Sequence, residues 1–254
     1  MKVTLLSFTP DALTLLLRTK NTRLANDSDP AHWSEEKRQE HLDYMRDTIK
    51  SSWEFVDYTF EISGVTRAFT HQLVRTRTGA YAQESQRTVD VSDHEIVEPD
   101  FSENIDAEDV WQAAADKSMM AYQSMLALGI PAQDARGILP TNVTTSIIAK
   151  FNLRTLSEMA KIRLCTRTQG EHQDVFRKMR HLVVGAHPWA LQFLDVHCAA
   201  TGTCAFPRYG KTSCPIYKHC VPQEVLETFK DAARLAADIE RHVAVPVAKD
   251  GRTM

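Results

Sequence analysis

The stretch that decides the fold is RAFTHQLVRTRTGAYAQESQR, residues 67–87. Its front half sets Phe69, Leu73 and Val74 among polar residues, the spacing of an amphipathic helix. On such a helix Arg67, His71 and Arg75 share a face at i, i+4 and i+8, and Gln72 neighbours Arg75. Arg75 and Arg77 would stand roughly 200° apart around the axis and grip different ligands. Gly79 predicts the release of the helix, and an extended run over 83–87 would point Gln83, Ser85 and Arg87 to one side. The four guanidinium groups present planar donor forks that suit phosphate and carboxylate and stay charged at any physiological pH. With a Ser hydroxyl and Gln amides to orient it, a phosphorylated ligand fits this cup. The same arginines also suit a solvated face whose ion pairs contribute about 0–1 kcal/mol each. Both readings stand at this point.

Working outward, residues 1–8 predict a strand, and Thr9-Pro10 an N-cap with proline at the first position of a helix over 11–19. Residues 21–30 have loop composition, and Ser34 caps a charged helix reaching about residue 49. The aromatic and β-branched WEFVDYTFEI, residues 53–62, predicts a strand. Glu54 near its start is either a ligand contact or an edge-strand charge. Residues 89–101 are acidic and loop-like. A helix over 106–128 would turn Val110, Ala114, Met125 and Leu126 inward and close at Gly129 and Pro131. A β-branched run after Pro140 leads into a helix over 156–164, where Arg163 stands beside Met159 and Ile162. Its charge either snorkels to water or is held for a ligand. A further helix over 171–186 sets Val175, Met179, Leu182 and Val183 at core spacing.

The tail differs in texture. Cys198, Cys204, Cys214 and Cys220 lie in a stretch rich in Gly, Pro and aromatic residues, with His197 and His219 beside the outer pair. They are zinc candidates, at spacings looser than the two to four residues usual in structural zinc pairs. Cys165 reads as a small core residue. A last helix over 223–243 follows. The expected organisation is a domain over 1–195 and a Cys-containing extension over 196–254 packed on it.

Composition narrows the function. A chain of 254 residues with 43% apolar and 25% charged residues is an ordinary globular chain of one large or two small domains. A net charge of −3 argues against a general nucleic-acid binder and favours a small anionic ligand in a locally basic pocket. No run approaches the roughly 20 apolar residues of a membrane span, and MKVTLLSFTP is broken too soon for a signal peptide. Five cysteines cannot all pair, so a reducing cytoplasm is expected.

Arg75-Thr76-Arg77, seven residues, then Ser85 resembles the signature of the flavin-dependent thymidylate synthases, where Arg-His-Arg precedes Ser by the same gap. The resemblance continues through Ala135-Arg136 with Leu139-Pro140, through Asn152, Arg154 and Leu156, and through Arg163 followed by Gln169 and Glu171. It implies an α/β (α+β) fold with a central, mainly antiparallel sheet flanked by helices. It also implies reductive methylation of dUMP with FAD, NADPH and methylenetetrahydrofolate, without a cysteine nucleophile, in a homotetramer whose active sites draw on several subunits. By position, Gln72, Arg75, Gln83, Ser85, Arg87, Arg136 and Arg163 would hold the pyrimidine nucleotide, with Ser85 and Arg163 at the reacting ring. Ser51, Glu54, Arg75, Thr76, Arg77, Asn152, Arg154 and Glu158 would face FAD. Three positions depart from the family pattern. Thr76 replaces the signature His, the stretch before Glu54 lacks a His and Phe55 follows it, and Glu158 stands where Asn is usual. A carboxylate at 158 would suit the amino group of cytosine, so dCMP as substrate, or a hydroxymethylated product, is the alternative within this chemistry. The alternative of another class is a module binding nucleic acid or protein, with a zinc-stabilised tail.

Overall fold

The computed structural model describes residues 1–48, 50–101, 104–206 and 214. Strand β1 (Lys2–Phe8) is followed by helices α1 (Ala12–Arg23) and α2 (Glu35–Asp47), a 3-10 turn over Lys50–Phe55, and β2 (Asp57–Thr66). Then come α3 (Arg67–Leu73), β3 (Ala80–Gln83), α4 (Ile105–Ala127), α5 (Ala132–Ala135), β4 (Thr144–Asn152), α6 (Leu153–Arg163), α7 (Gly170–Ala186) and α8 (His197–Thr201). The strands form one antiparallel sheet in the order β1-β2-β4-β3, flanked by helices. The expected last helix over 223–243 lies outside the described residues.

The chain divides into two compact units: residues 1–3 with 61–149, and residues 4–60 with 150–254. In the first, α4 buries Ala115 and Tyr122 in a small core with Val91 and Ala135, against which Met119, Met125, Leu126 and Leu139 pack. The Tyr122 hydroxyl accepts the Val91 N–H at 3.3 Å, so the ring enters the core with its polar end satisfied. Of the expected inward face, Met125 and Leu126 pack on this core, but its first half does not. Val110 is 72% exposed and Ala114 is exposed, because this alanine-rich helix carries apolar residues on both sides and its own pattern does not choose between them.

The second unit is built on α6, whose Leu153, Leu156, Met159 and Ala160 are buried, and on α7, whose Val175, Phe176, Met179 and Val183 are buried. Helix α6 packs against α7, against α8 and against the 3-10 turn. That turn corrects the strand expected over 53–62. Trp53 is fully buried there, edge-on to Phe193 at 4.6 Å between centroids, and the strand begins only at Asp57. Burying a large apolar side chain contributes about 1.5–3 kcal/mol, enough to override local β propensity. The cap expected at Thr9 is also displaced. Thr9 Oγ1 accepts the Asp57 N–H at 2.8 Å, and α1 starts after Asp11 in a left-handed conformation (φ 46°) and runs on to Arg23. Ser34 caps α2 as expected, accepting the Lys37 N–H.

Candidate active site

The first unit carries the segment with which the sequence reading began, differently shaped. Helix α3 stops at Leu73, capped by Val74, so Arg75 and Arg77 lie in the turn that follows and not two apart on a helix. The Tyr81 hydroxyl, from β3, donates to the Leu73 carbonyl at 3.1 Å and to the Thr76 carbonyl at 2.6 Å. It thereby satisfies orphan carbonyls at the helix end and pins the Arg-Thr-Arg turn. Burial pushes the Tyr81 phenol up to about 12, so it remains a donor. Gly79 releases nothing; its N–H closes the turn onto the Thr76 carbonyl.

The second half is also corrected. Strand β3 ends at Gln83, whose amide donates to Thr70 Oγ1 at 2.8 Å. Ser85 then starts a tight turn, its hydroxyl accepting the Arg87 N–H at 3.2 Å and its carbonyl accepting the Val89 N–H at 3.0 Å. Gln83, Ser85 and Arg87 are therefore not a period-two row; the serine's local hydrogen bond wins over extension. Arg75, Arg77 and Arg87 are exposed, and Gln72, Thr76 and Gln83 are partly buried. Arg67, which sequence reasoning placed on a helix face but not in the site, donates to the Glu84 carbonyl at 3.1 Å. Burial, and next the charge of Arg136, depress its pKa. Two guanidiniums thus share one neighbourhood in the first unit.

The second unit holds the remaining residues. Ser51 and Glu54 lie in the 3-10 turn, and Glu54 is ion-paired with Arg154 in the first turn of α6. Asn152 caps that helix, accepting the Thr155 N–H at 2.8 Å. Glu158 Oε1 accepts from Lys161 at 2.7 Å and from Lys50 at 3.4 Å. Burial pushes the Glu158 carboxyl up, but the two lysines outweigh it and hold it below the usual range. This carboxylate already has counterions that its sequence position did not disclose, although Lys161 at i+3 was a readable signal. Arg163 is half-buried, and burial depresses its pKa. Beside it His172 is buried and its pKa is pushed down to about 3, by desolvation first and the Arg163 charge second. Sequence reading passed over His172, which carries no motif.

A contrast runs through the arginines. Arg18, Arg46, Arg154, Arg177 and Arg180 each sit within 4.0 Å of a carboxylate. Among the described residues, Arg75, Arg77, Arg87, Arg136 and Arg163 have no carboxylate partner at that distance, and neither have Arg23, Arg38 and Arg67. Guanidinium groups without an internal counterion are suited to an external anion. Of the zinc candidates, Cys220 lies outside the described residues, and among the described residues no three His, Cys, Asp or Glu side chains converge as ligands of a single ion do. Among them, too, no helix is long and apolar enough to cross a membrane.

A sequence model of the thymidylate synthase complementing protein family matches residues 4–189. This chain is similar to the flavin-dependent thymidylate synthase of Geobacter sulfurreducens, 32% identical over 219 residues that cover 84% of this chain and 93% of that one. It is 31% identical to the enzyme of Sulfolobus acidocaldarius over 204 residues, 78% of each chain. Against that of Sulfurisphaera tokodaii the match is 33% identical over 161 residues and spans 62% of the relative's length. Among solved structures, the UMP/dUMP methylase PolB from Streptomyces cacaoi, bound with 5-Br dUMP, superposes with a TM-score of 0.63 at 19% identity, over 74% of this chain and 92% of that one. At that identity the likeness is one of fold. A family match over most of the chain, on a fold shared with PolB and with unpaired arginines at the signature positions, places this protein in the thymidylate synthase complementing family, that of the flavin-dependent thymidylate synthases.

Proposed function

We infer that this chain is a flavin-dependent thymidylate synthase, a methyltransferase that converts dUMP to dTMP with methylenetetrahydrofolate as carbon source and NADPH as reductant. It works as a homotetramer whose active sites draw on several subunits. The observation that carries the reading is the set of arginines without carboxylate partners at the family's nucleotide and flavin positions. A nucleoside monophosphate and the FAD pyrophosphate bring about four negative charges to a site, and guanidinium forks are the usual answer to that field.

The residues present fit FAD. Arg154 spends only part of its five N–H donors on Glu54, Asn152 keeps its amide beside the N-terminus of α6, and the turn pinned by Tyr81 offers Arg75 and Arg77. FAD, when bound, supplies the hydride chemistry. The chain's own residues bind, orient and stabilise charge. Arg163, half-buried and beside a neutral His172, sets a weakly screened cation at the pyrimidine edge. There it stabilises the charge that develops as C5 becomes nucleophilic, an effect commonly worth a few kcal/mol. Arg87, Arg136 and Gln72 hold the phosphate and sugar, and Ser85 orients the ring.

The test is mass analysis of the nucleotide product after turnover with NADPH and methylenetetrahydrofolate, with dUMP and dCMP in parallel. The expected result is a yellow protein that makes dTMP from dUMP. A colourless protein that takes up no FAD on titration overturns the reading, and a product made only from dCMP, or carrying a hydroxymethyl group, redirects it.

A further inference from the structure

The cysteines regroup in the folded chain. Cys165, assigned to the core by sequence, lines one small pocket with Cys198, Cys204 and Cys214, and Lys161 and His197 complete part of its wall. Cys165 follows the C-terminal end of α6, and Cys198 lies in α8, which packs on α6. All four belong to the second unit, and none is in a disulfide.

The surroundings are those of ligands and not of inert thiols. The Arg167 N–H donates to the Cys165 sulfur, and the Phe206 N–H donates to Cys204 Sγ at 3.3 Å. In both cases the donor is two residues beyond the cysteine, a local turn that aims an amide at the sulfur. Thr166 Oγ1 lies 3.4 Å from Cys214 Sγ. A buried cysteine acting as a small hydrophobe needs no such donors. Hydrogen bonds to sulfur stabilise the thiolate form in which cysteine binds metal and tune the centre it forms.

Two metal centres take four cysteines, and they differ in size. Zinc, with Zn–S bonds of about 2.3 Å, gathers all four sulfurs around one point. Among the described residues no three ligand side chains converge that way. A four-iron cluster binds each cysteine to a different iron and so accepts sulfurs spread around a larger object. The sequence adds an independent mark. Cys214 is followed by Pro215, as is the last cysteine of ferredoxin-type runs, here at the wider spacings of a site assembled from separate segments. We propose that Cys165, Cys198, Cys204 and Cys214 ligate a four-iron, four-sulfur cluster. The cluster ties Cys198, Cys204 and Cys214 to the end of α6, the helix that carries Arg163. The site shares no residue with the arginines of the proposed reaction, although Cys165 follows Arg163 by two positions, and it stands whether or not that reaction is the right one.

The experiment is metal and sulfide analysis of the full-length protein, purified without oxygen and also after reconstitution with ferrous iron and sulfide. Iron and acid-labile sulfide are expected in equal amounts, about four of each per chain. Reduction with dithionite should give an iron–sulfur paramagnetic signal distinct from any flavin radical. Cys165→Ser and Cys204→Ser should each lower bound iron several-fold, with circular dichroism unchanged, while Cys220→Ser keeps it. Stoichiometric zinc without labile sulfide overturns the proposal, as does a reconstituted protein holding no iron. So does a Cys220→Ser protein that loses the iron while Cys165→Ser retains it.

Discussion

The two units handle charge in opposite ways. In the first, the signature arginines stand on short turns held by backbone and Tyr81 hydrogen bonds, and Arg75, Arg77 and Arg87 have no carboxylate partner among the described residues. In the second, charge is largely answered from within: Glu54 by Arg154, and Glu158 by Lys161 and Lys50. Arg163, half-buried beside a neutral histidine, has no carboxylate partner among the described residues. The difference teaches that the first unit holds its signature arginines on turns fixed by backbone hydrogen bonds, as the proposed anion site requires. The second supplies counterions to Glu54 and Glu158 and leaves Arg163 without one among the described residues. Removing a charge from the first unit therefore removes affinity alone, whereas in the second it also disturbs a partner.

The sharpest way to break that contrast is Arg163→Ala. It should lower turnover on dUMP by about 10²–10³-fold, the range seen when one charge-stabilising donor is removed from an active site. Bound FAD, read by absorbance, should be largely retained; its loss would mean that Arg163 serves the flavin and not the pyrimidine. Next in size, Arg87→Ala should weaken dUMP binding about 10–100-fold, the cost of a hydrogen bond to a charged group. Its unfolding free energy should stay within about 0.5 kcal/mol of the parent, as for exposed positions generally. A large stability loss would contradict the account of a turn held by its backbone.

Tyr81→Phe examines the same turn without removing a charge. It deletes the donor that closes two carbonyls and should cost about 1 kcal/mol in denaturant unfolding. Nucleotide and FAD affinities should fall only a few-fold. Unchanged stability would show that the turn is held elsewhere. The smallest effect concerns pH. His172 takes its proton near 3 when folded and near 6.5 when unfolded, so unfolding takes up a proton between those values. Its contribution is intact above pH 6.5 and is lost as pH falls toward 3, with a slope of at most about 1.4 kcal/mol per pH unit. The parent should lose more stability on acidification than His172→Gln, and equal pH profiles would mean that the histidine is not held neutral.

Much of this was legible in the chain itself. Serine at 34, asparagine at 152 and the periodicity of residues 171–186 announce α2, α6 and α7, because caps and amphipathic spacing act over a few residues. The spacing of Arg75, Arg77 and Ser85 was likewise readable, as was the fold class it implied. What escaped was every feature whose partner lies far along the chain. The end of α3 depends on a hydroxyl from the next strand, and Trp53 sits in a 3-10 turn because Phe193 covers it.

Sequence by itself determined which segments are helix or strand over most of their length and which family the chain belongs to, and it singled out the arginines proposed for the site. Tertiary structure alone decided which charges are answered and which stand open, and that Cys165 joins Cys198, Cys204 and Cys214. The physical reason is range. Propensity, capping and periodicity are settled within a few residues, while the partner of a buried ring, a carboxylate or a sulfur is chosen by the path of the whole chain.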